Sequence, residues 1–195
     1  IDAHQHMAHG LAWLATYVET LRQTADWAAR LEAEGTFGEI EALLSQILFG
    51  EYLAQIKGGL PMTQVEFVRA DDLGLTARDL ALLETPAIAA LIAGSGAAAE
   101  ARAGAHVRDA LGRATVEKSG LDSDMTMVRE QFRRFAEDKV VPFAHGWHMR
   151  DELIPIELIE ELAEMGVFGL TIPEAHGGLG MGKLAMCVVS EELSR

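Results

Sequence analysis

The stretch Ile154-Pro155-Ile156-Glu157-Leu158-Ile159-Glu160-Glu161-Leu162-Ala163-Glu164-Met165-Gly166 decides the fold class. Ile156, Ile159, Leu162 and Ala163 recur at spacings of three and four, the period of a helix with one buried face. Pro155 suits the first helical position, because its missing N–H would have no partner there. Gly166 supplies a stop. Phe168–Ile172 reads as a short apolar link. The glycine-rich turn Gly177-Gly178-Leu179-Gly180-Met181-Gly182 then leads into a last helix, Lys183–Arg195.

Upstream, a helix is expected from Asp122–Asp124, with Met125, Val128, Phe132 and Phe135 on one face and Pro142 closing it. Residues 117–124 are polar and contain glycine, and the domain boundary is placed there. Ahead of it the helical pattern continues. Residues 2–33 read as one long helix with the stripe Leu11, Leu14, Val18, Leu21, Ala25 and Ala28, widened by Trp13, Tyr17 and Trp27 and ended by Gly35. A second helix runs from Thr36 to Lys57, burying Phe37, Ile40, Leu43, Leu44, Ile47 and Leu48. Gly58-Gly59-Leu60-Pro61 breaks it, and residues 61–75 read as a loop. Thr76, with Asp79 in the first turn, caps a helix to Ala93 that bends at Pro86. Residues 97–116 form one more helix. No alternating run is long enough for a strand. The fold class is all-α: a helical N-terminal extension over 1–118, then a helical-bundle domain over 119–195.

Composition narrows the function classes. The 195 residues are 49% hydrophobic and 24% charged, which fits a packed core and excludes a disordered chain. No apolar run approaches the ~18 residues that cross a bilayer. The net charge of −14 divides evenly, −7 over residues 1–118 and −7 over 119–195, so phosphate backbones and anionic membranes would repel the chain. Nucleic acid and membrane are therefore not expected partners. Cys187 is the only cysteine, which excludes a disulfide scaffold and suits a reducing, cytoplasmic setting. The chain starts at Ile1 and ends inside a helical pattern, so a longer protein is expected.

Single residues give little chemistry. His4, His6 and His9 crowd the N-terminus, but their spacings do not share a helical face. They read as exposed histidines and not as a metal site. His145 and His148 flank Trp147 near Asp151, with no nucleophile at a telling spacing. The glycines at 178, 180 and 182 do not make a dinucleotide fingerprint. Free N–H groups ahead of a helix could hold an anion, although a tight turn is the stronger reading. Cys187 lies among Met186, Val188 and Val189 and reads as core. The neighbouring pairs Glu160-Glu161 and Glu191-Glu192 point about 100° apart on a helix and read as solvated faces. No catalytic residue and no metal ligand is assigned, and no cofactor-binding residue is identified.

Four motifs carry more. Phe132-Arg133-Arg134-Phe135-Ala136-Glu137-Asp138-Lys139-Val140-Val141-Pro142 resembles the opening helix of acyl-CoA dehydrogenases. Ile154–Gly169 is similar to that family's next helix and its glycine stop. Pro173-Glu174-Ala175-His176-Gly177-Gly178-Leu179-Gly180 resembles its Pro-Glu-x-x-Gly-Gly-x-Gly turn, and Ser190-Glu191-Glu192-Leu193 the end of the helix after it. The resemblance implies the N-terminal helical domain of a flavoenzyme, with a β-barrel and a second helical bundle to follow. It implies FAD, held mainly by regions after Arg195. A glutamate, also after Arg195, would remove the α-proton of an acyl-CoA thioester while hydride passes to flavin. Electron-transferring flavoprotein would reoxidise the flavin.

Gln55-Ile56-x-Gly58-Gly59 is similar to a segment of the family's C-terminal bundle that helps to hold FAD. Pro61 replaces the expected glycine, so the extension is read as a structural copy that packs on. Such a copy favours a homo-oligomer that is a dimer. Two other classes compete: a non-catalytic helical interaction module, and a helical acyl-CoA-binding module without chemistry. Against the latter, no basic cluster faces the CoA phosphates.

Overall fold

The computed structural model describes residues 4–111 and 118–194. The chain divides into two compact units, Ile1–Gly120 and Leu121–Arg195. The expected helical residues 2–3, 112–116 and 195, and Glu117 of the expected boundary, lie outside the described residues.

In the first unit, α1 (Gln5–Ala33) packs against α2 (Glu39–Gly58). The buried side of α1 differs from the expected stripe. Gly10, Tyr17 and Leu31 are buried, whereas Leu11 and Val18 are 58% and 53% exposed. Aromatic area decides between the two apolar faces. Tyr17 stacks on Tyr52 of α2, with ring centroids 4.1 Å apart, and its hydroxyl donates to the Gln55 side chain at 2.5 Å.

A β-hairpin closes this cluster. β1 (Leu60–Pro61) pairs antiparallel with β2 (Phe67–Val68), in register Leu60↔Val68 and Pro61↔Phe67. Leu60, Met62 and Val68 are buried with Tyr17. This corrects the loop expected at 61–75: two-residue strands are too short to show an alternating pattern. The fold class stays helical, and this hairpin is the one sheet among the described residues.

The helix expected over 77–93 is two helices. α3 (Ala77–Leu80) carries the Thr76/Asp79 capping box and passes into a 3-10 turn. α4 (Pro86–Gly94) begins afresh, because Thr85 caps it by accepting from the Ile88 N–H at 3.2 Å. Pro86 therefore starts a helix and does not bend one. α5 (Ala97–Asp109) follows, and Ala99 and Ala103 bury against Ile40 and Leu43 of α2.

Glu41 at the start of α2 is buried yet satisfied. One carboxylate oxygen accepts from the Gly38 N–H at 3.0 Å and the other from the Lys118 N–H at 2.8 Å. The carboxylate caps its own helix and ties down the far end of the unit.

In the second unit, α6 (Ser123–Lys139) is capped by Asp122, whose side chain accepts from the Met125 N–H at 2.8 Å. Pro142 does not close this helix. α6 ends at Lys139, and Pro142 sits in the first turn of α7 (Val141–Arg150), where its missing N–H costs nothing. α8 (Ile156–Glu164) has Pro155 as its cap, one position earlier than expected. It buries Leu158, while Ile156 is 61% exposed and Ala163 is exposed. α9 (Gly182–Leu193) packs along α6, and Phe132, Leu170, Ala185 and Val189 form the core. Among the described residues no helix is long and apolar enough to cross a membrane.

The α2–α4 crossing allows a direct check. A Cβ on Gly50 would lie 2.2 Å from the Ser95 Cβ and 2.6 Å from the Leu91 carbonyl oxygen. Overpacking of this kind costs about 1–3 kcal/mol. Gly50→Ala is expected to lower the free energy of unfolding, measured by urea titration, by that amount, whereas Gly104→Ala, which has open space, should not lower it.

Candidate functional site

The glycine-rich turn after α8 is the most constrained feature of the second unit. Gly177 and Gly180 take φ of 80° and 61°, in the left-handed region that glycine favours. Gly178 is dictated by close approach: a Cβ there would stand 2.1 Å from the Ile172 carbonyl oxygen. The turn folds back on the link before it, which forms a 3-10 turn over Val167–Gly169.

Its backbone donors are spent internally. The N–H groups of Gly177, Gly178, Leu179, Gly180 and Met181 donate to the carbonyls of Glu174, Pro173, Gly169, Ile172 and Leu170, at 2.8–3.2 Å. An anion cradle needs N–H groups that point outward. This turn has none between 177 and 181, and its positive φ angles and the close approach at Gly178 fit the tight-turn reading.

The paired glutamates separate sharply. Glu192 is fully buried, which corrects the expectation of a solvated face. Its carboxylate accepts from the Arg133 guanidinium at 3.1 Å (Nε) and 2.8 Å (Nη2), a fork-on-fork pair between α6 and α9. The Glu192 hydrogen bonds hold Arg133 above the usual guanidinium range. Position 192 continues the buried spacing 185, 188, 189, and that signal was available in the sequence. Glu161 instead makes an exposed ion pair with Lys139 at 3.0 Å.

Cys187 is exposed, which corrects the core assignment: α9 turns Ala185, Val188 and Val189 inward and leaves position 187 on its outer side.

The N-terminal histidines are exposed, as expected, but they have acidic neighbours that spacing does not reveal. His6 lies 3.3 Å from Glu66 and 3.8 Å from Asp72, and His9 lies 3.9 Å from Glu66. His9 Nε2 accepts from the Trp13 indole N–H at 3.0 Å. No group of three or more such side chains among the described residues is arranged to hold a metal. His145 and His148 lie exposed on α7, and Asp151 caps that helix in the left-handed conformation at φ 54°.

These residues do not fit a flavin site. The glycine turn offers no free donor from 177 to 181. In the first unit the Gln55 side chain is engaged by Tyr17, and the Gly59 N–H donates to the Gln55 carbonyl at 2.7 Å.

Residues 122–195 match the acyl-CoA dehydrogenase, N-terminal domain family. Among individual proteins, the whole chain is 60% identical to the (2S)-methylsuccinyl-CoA dehydrogenase of Cereibacter sphaeroides, of which it spans 35%. A glutaryl-CoA dehydrogenase of Desulfococcus multivorans is 38% identical over 38% of this chain and 20% of its own length. An isovaleryl-CoA dehydrogenase of Arabidopsis thaliana is 32% identical over 38% of this chain and 18% of its own. The chain thus spans about a third of the first relative and about a fifth of the others.

Removing one partner of a buried ion pair costs about 3–5 kcal/mol, because the other charge is left uncompensated. Arg133 is 29% exposed, so Arg133→Met is expected near the lower end. Thermal unfolding of the variant checks this, and Lys139→Met at the exposed pair should shift the midpoint far less. Gly178→Ala is expected to destabilise by about 1–3 kcal/mol through its clash with Ile172.

Proposed function

We propose that this chain is the N-terminal portion of a FAD-dependent acyl-CoA dehydrogenase. It would introduce an α,β double bond into an acyl-CoA thioester. The substrate in this reading is (2S)-methylsuccinyl-CoA, the product is mesaconyl-CoA, and the setting is the ethylmalonyl-CoA pathway in the cytoplasm. One observation carries the choice. The 60% identity extends over the whole chain, whereas the glutaryl- and isovaleryl-CoA relatives match over 38% of it. The helical extension thus accompanies the methylsuccinyl-CoA enzyme and not those other relatives.

In this reading residues 1–118 are the extension and 119–195 the family's N-terminal helical domain. The catalytic base and the FAD contacts lie beyond Arg195, and electron-transferring flavoprotein is the electron acceptor. The Gln55–Gly59 segment serves packing: its amide oxygen is taken by Tyr17, which supports a structural copy over a retained cofactor site. Such an extension favours a homodimer. The identity to an enzyme along the whole chain weighs against a non-catalytic module.

The full-length protein is expected to be yellow, with a denatured mass well above 21.1 kDa. With an artificial electron acceptor it should oxidise (2S)-methylsuccinyl-CoA with a kcat/KM roughly a hundredfold above those for glutaryl-CoA and isovaleryl-CoA. A colourless protein without turnover would overturn the proposal. A flavoprotein that prefers another acyl-CoA would overturn the substrate alone.

A further inference from the structure

The first unit ends in Lys118-Ser119-Gly120, a polar run that closes in glycine. Lys118 is exposed, Ser119 and Gly120 are half-buried, and none of the three enters the clusters of buried residues around Tyr17, Leu43 or Phe132. The chain is held here by its backbone. The Lys118 N–H donates to the Glu41 carboxylate at 2.8 Å, and the Lys118 carbonyl accepts from the Trp27 indole N–H at 2.9 Å. One residue is thus gripped on both sides, from α2 and from α1. Gly120 turns away in the left-handed region at φ 61°. A Cβ there would lie 3.2 Å from Trp27 Cδ1 and 3.3 Å from Leu31 Cδ2.

The groove has supports of its own. Trp27 meets Phe37 edge to face, with ring centroids 6.4 Å apart. Leu31 is buried, and the other Glu41 oxygen accepts from the Gly38 N–H at 3.0 Å. Letting go of residues 118–120 therefore gives up two hydrogen bonds and little contact area, whereas unfolding the unit gives up its core. Segments held in this way open locally, well below the free energy of global unfolding. We propose that residues 118–120 are a strap that opens and closes on a folded first unit, with Trp27 and Glu41 as its latch. Shut, it leaves one residue, Leu121, between Gly120 and the Asp122 cap of α6. Open, it lengthens the connection ahead of α6 by up to roughly 10 Å. The latch thus sets the length of the tether that carries the helical extension, whatever reaction the full-length protein performs.

Native-state hydrogen exchange of the full-length protein tests this, read by mass spectrometry at rising urea below the unfolding transition. The Lys118 amide is expected to exchange at least roughly tenfold slower than in an unfolded chain, at a rate that urea leaves unchanged, because local opening exposes little surface. The amides of Tyr17 and Leu43 should exchange more slowly and speed up with urea. Trp27→Phe, which keeps a ring but removes the donor, is expected to speed exchange at Lys118 roughly fivefold. Gly120→Ala should do the same by a similar factor, through strain at positive φ. In both variants Tyr17 and Leu43 should remain slower than Lys118, which shows that the unit is folded. Exchange at Lys118 at the unfolded-chain rate would overturn the proposal, since nothing would then be latched. A urea dependence equal to that of Tyr17 and Leu43 would overturn it as well, because the strap would then let go only with the whole unit. So would an unchanged rate at Lys118 in either variant.

Discussion

The second unit is organised around one carboxylate that has no access to water. Glu192 sits at 0% exposure in a helix otherwise packed through Ala185, Val188 and Val189. Burying an ionised carboxylate alone would cost several kcal/mol. The cost is offset because Arg133 meets both oxygens in parallel from α6 while keeping 29% of its own side chain in solvent. The arrangement fixes register as well as energy. A planar fork fits a carboxylate in few orientations, so α9 cannot slide along α6 without losing both bonds. The start of α9 then determines where the glycine turn must close.

The first unit solves the same problem differently. Glu41 is also buried, but its partners are two backbone N–H groups, those of Gly38 and Lys118. Among the described residues no cation pairs with it; backbone dipoles stabilise it instead. Lys118 lies 77 residues from Glu41, so one side chain caps α2 and anchors the last described stretch of chain in the unit. Both glutamates are tertiary clasps, and neither reacts with anything in the structure.

Much of this architecture was legible and some was not, for identifiable reasons. α2 and α6 follow from three-and-four spacing, the glycine turn announced α9, and Thr76 and Asp122 announced their caps. The hairpin was not legible, because strands of two residues carry no period. The face of α1 was misread because Leu11 and Val18 complete a regular stripe, while the Tyr17–Tyr52 stack depends on a partner 35 positions away. Pro142 and Pro86 were read as ends or bends, but each sits in the first turn of a helix, where its missing N–H has no partner to lose. Glu192 was legible and overlooked: composition says that glutamate is solvated, while spacing places position 192 on the buried stripe.

The glycine turn explains why the most recognisable motif in the chain contributes no chemistry of its own. Every backbone donor from Gly177 to Met181 is consumed by a carbonyl between Gly169 and Glu174. The glycines are required by shape: a Cβ at 178 has nowhere to go, and positive φ at 177 and 180 is cheap only without one. A loop closed on itself in this way has no N–H to spare from 177 to 181, but it presents its side chains in fixed positions. Ile172 and Leu179 stay partly exposed on it, in positions set by the backbone bonds of the turn. Their placement therefore survives substitution of the side chains but not of the glycines. That asymmetry is what makes such a turn recognisable in a sequence: the residues that build the shape are restricted, while the surface that the shape presents is free to change with whatever packs or binds against it.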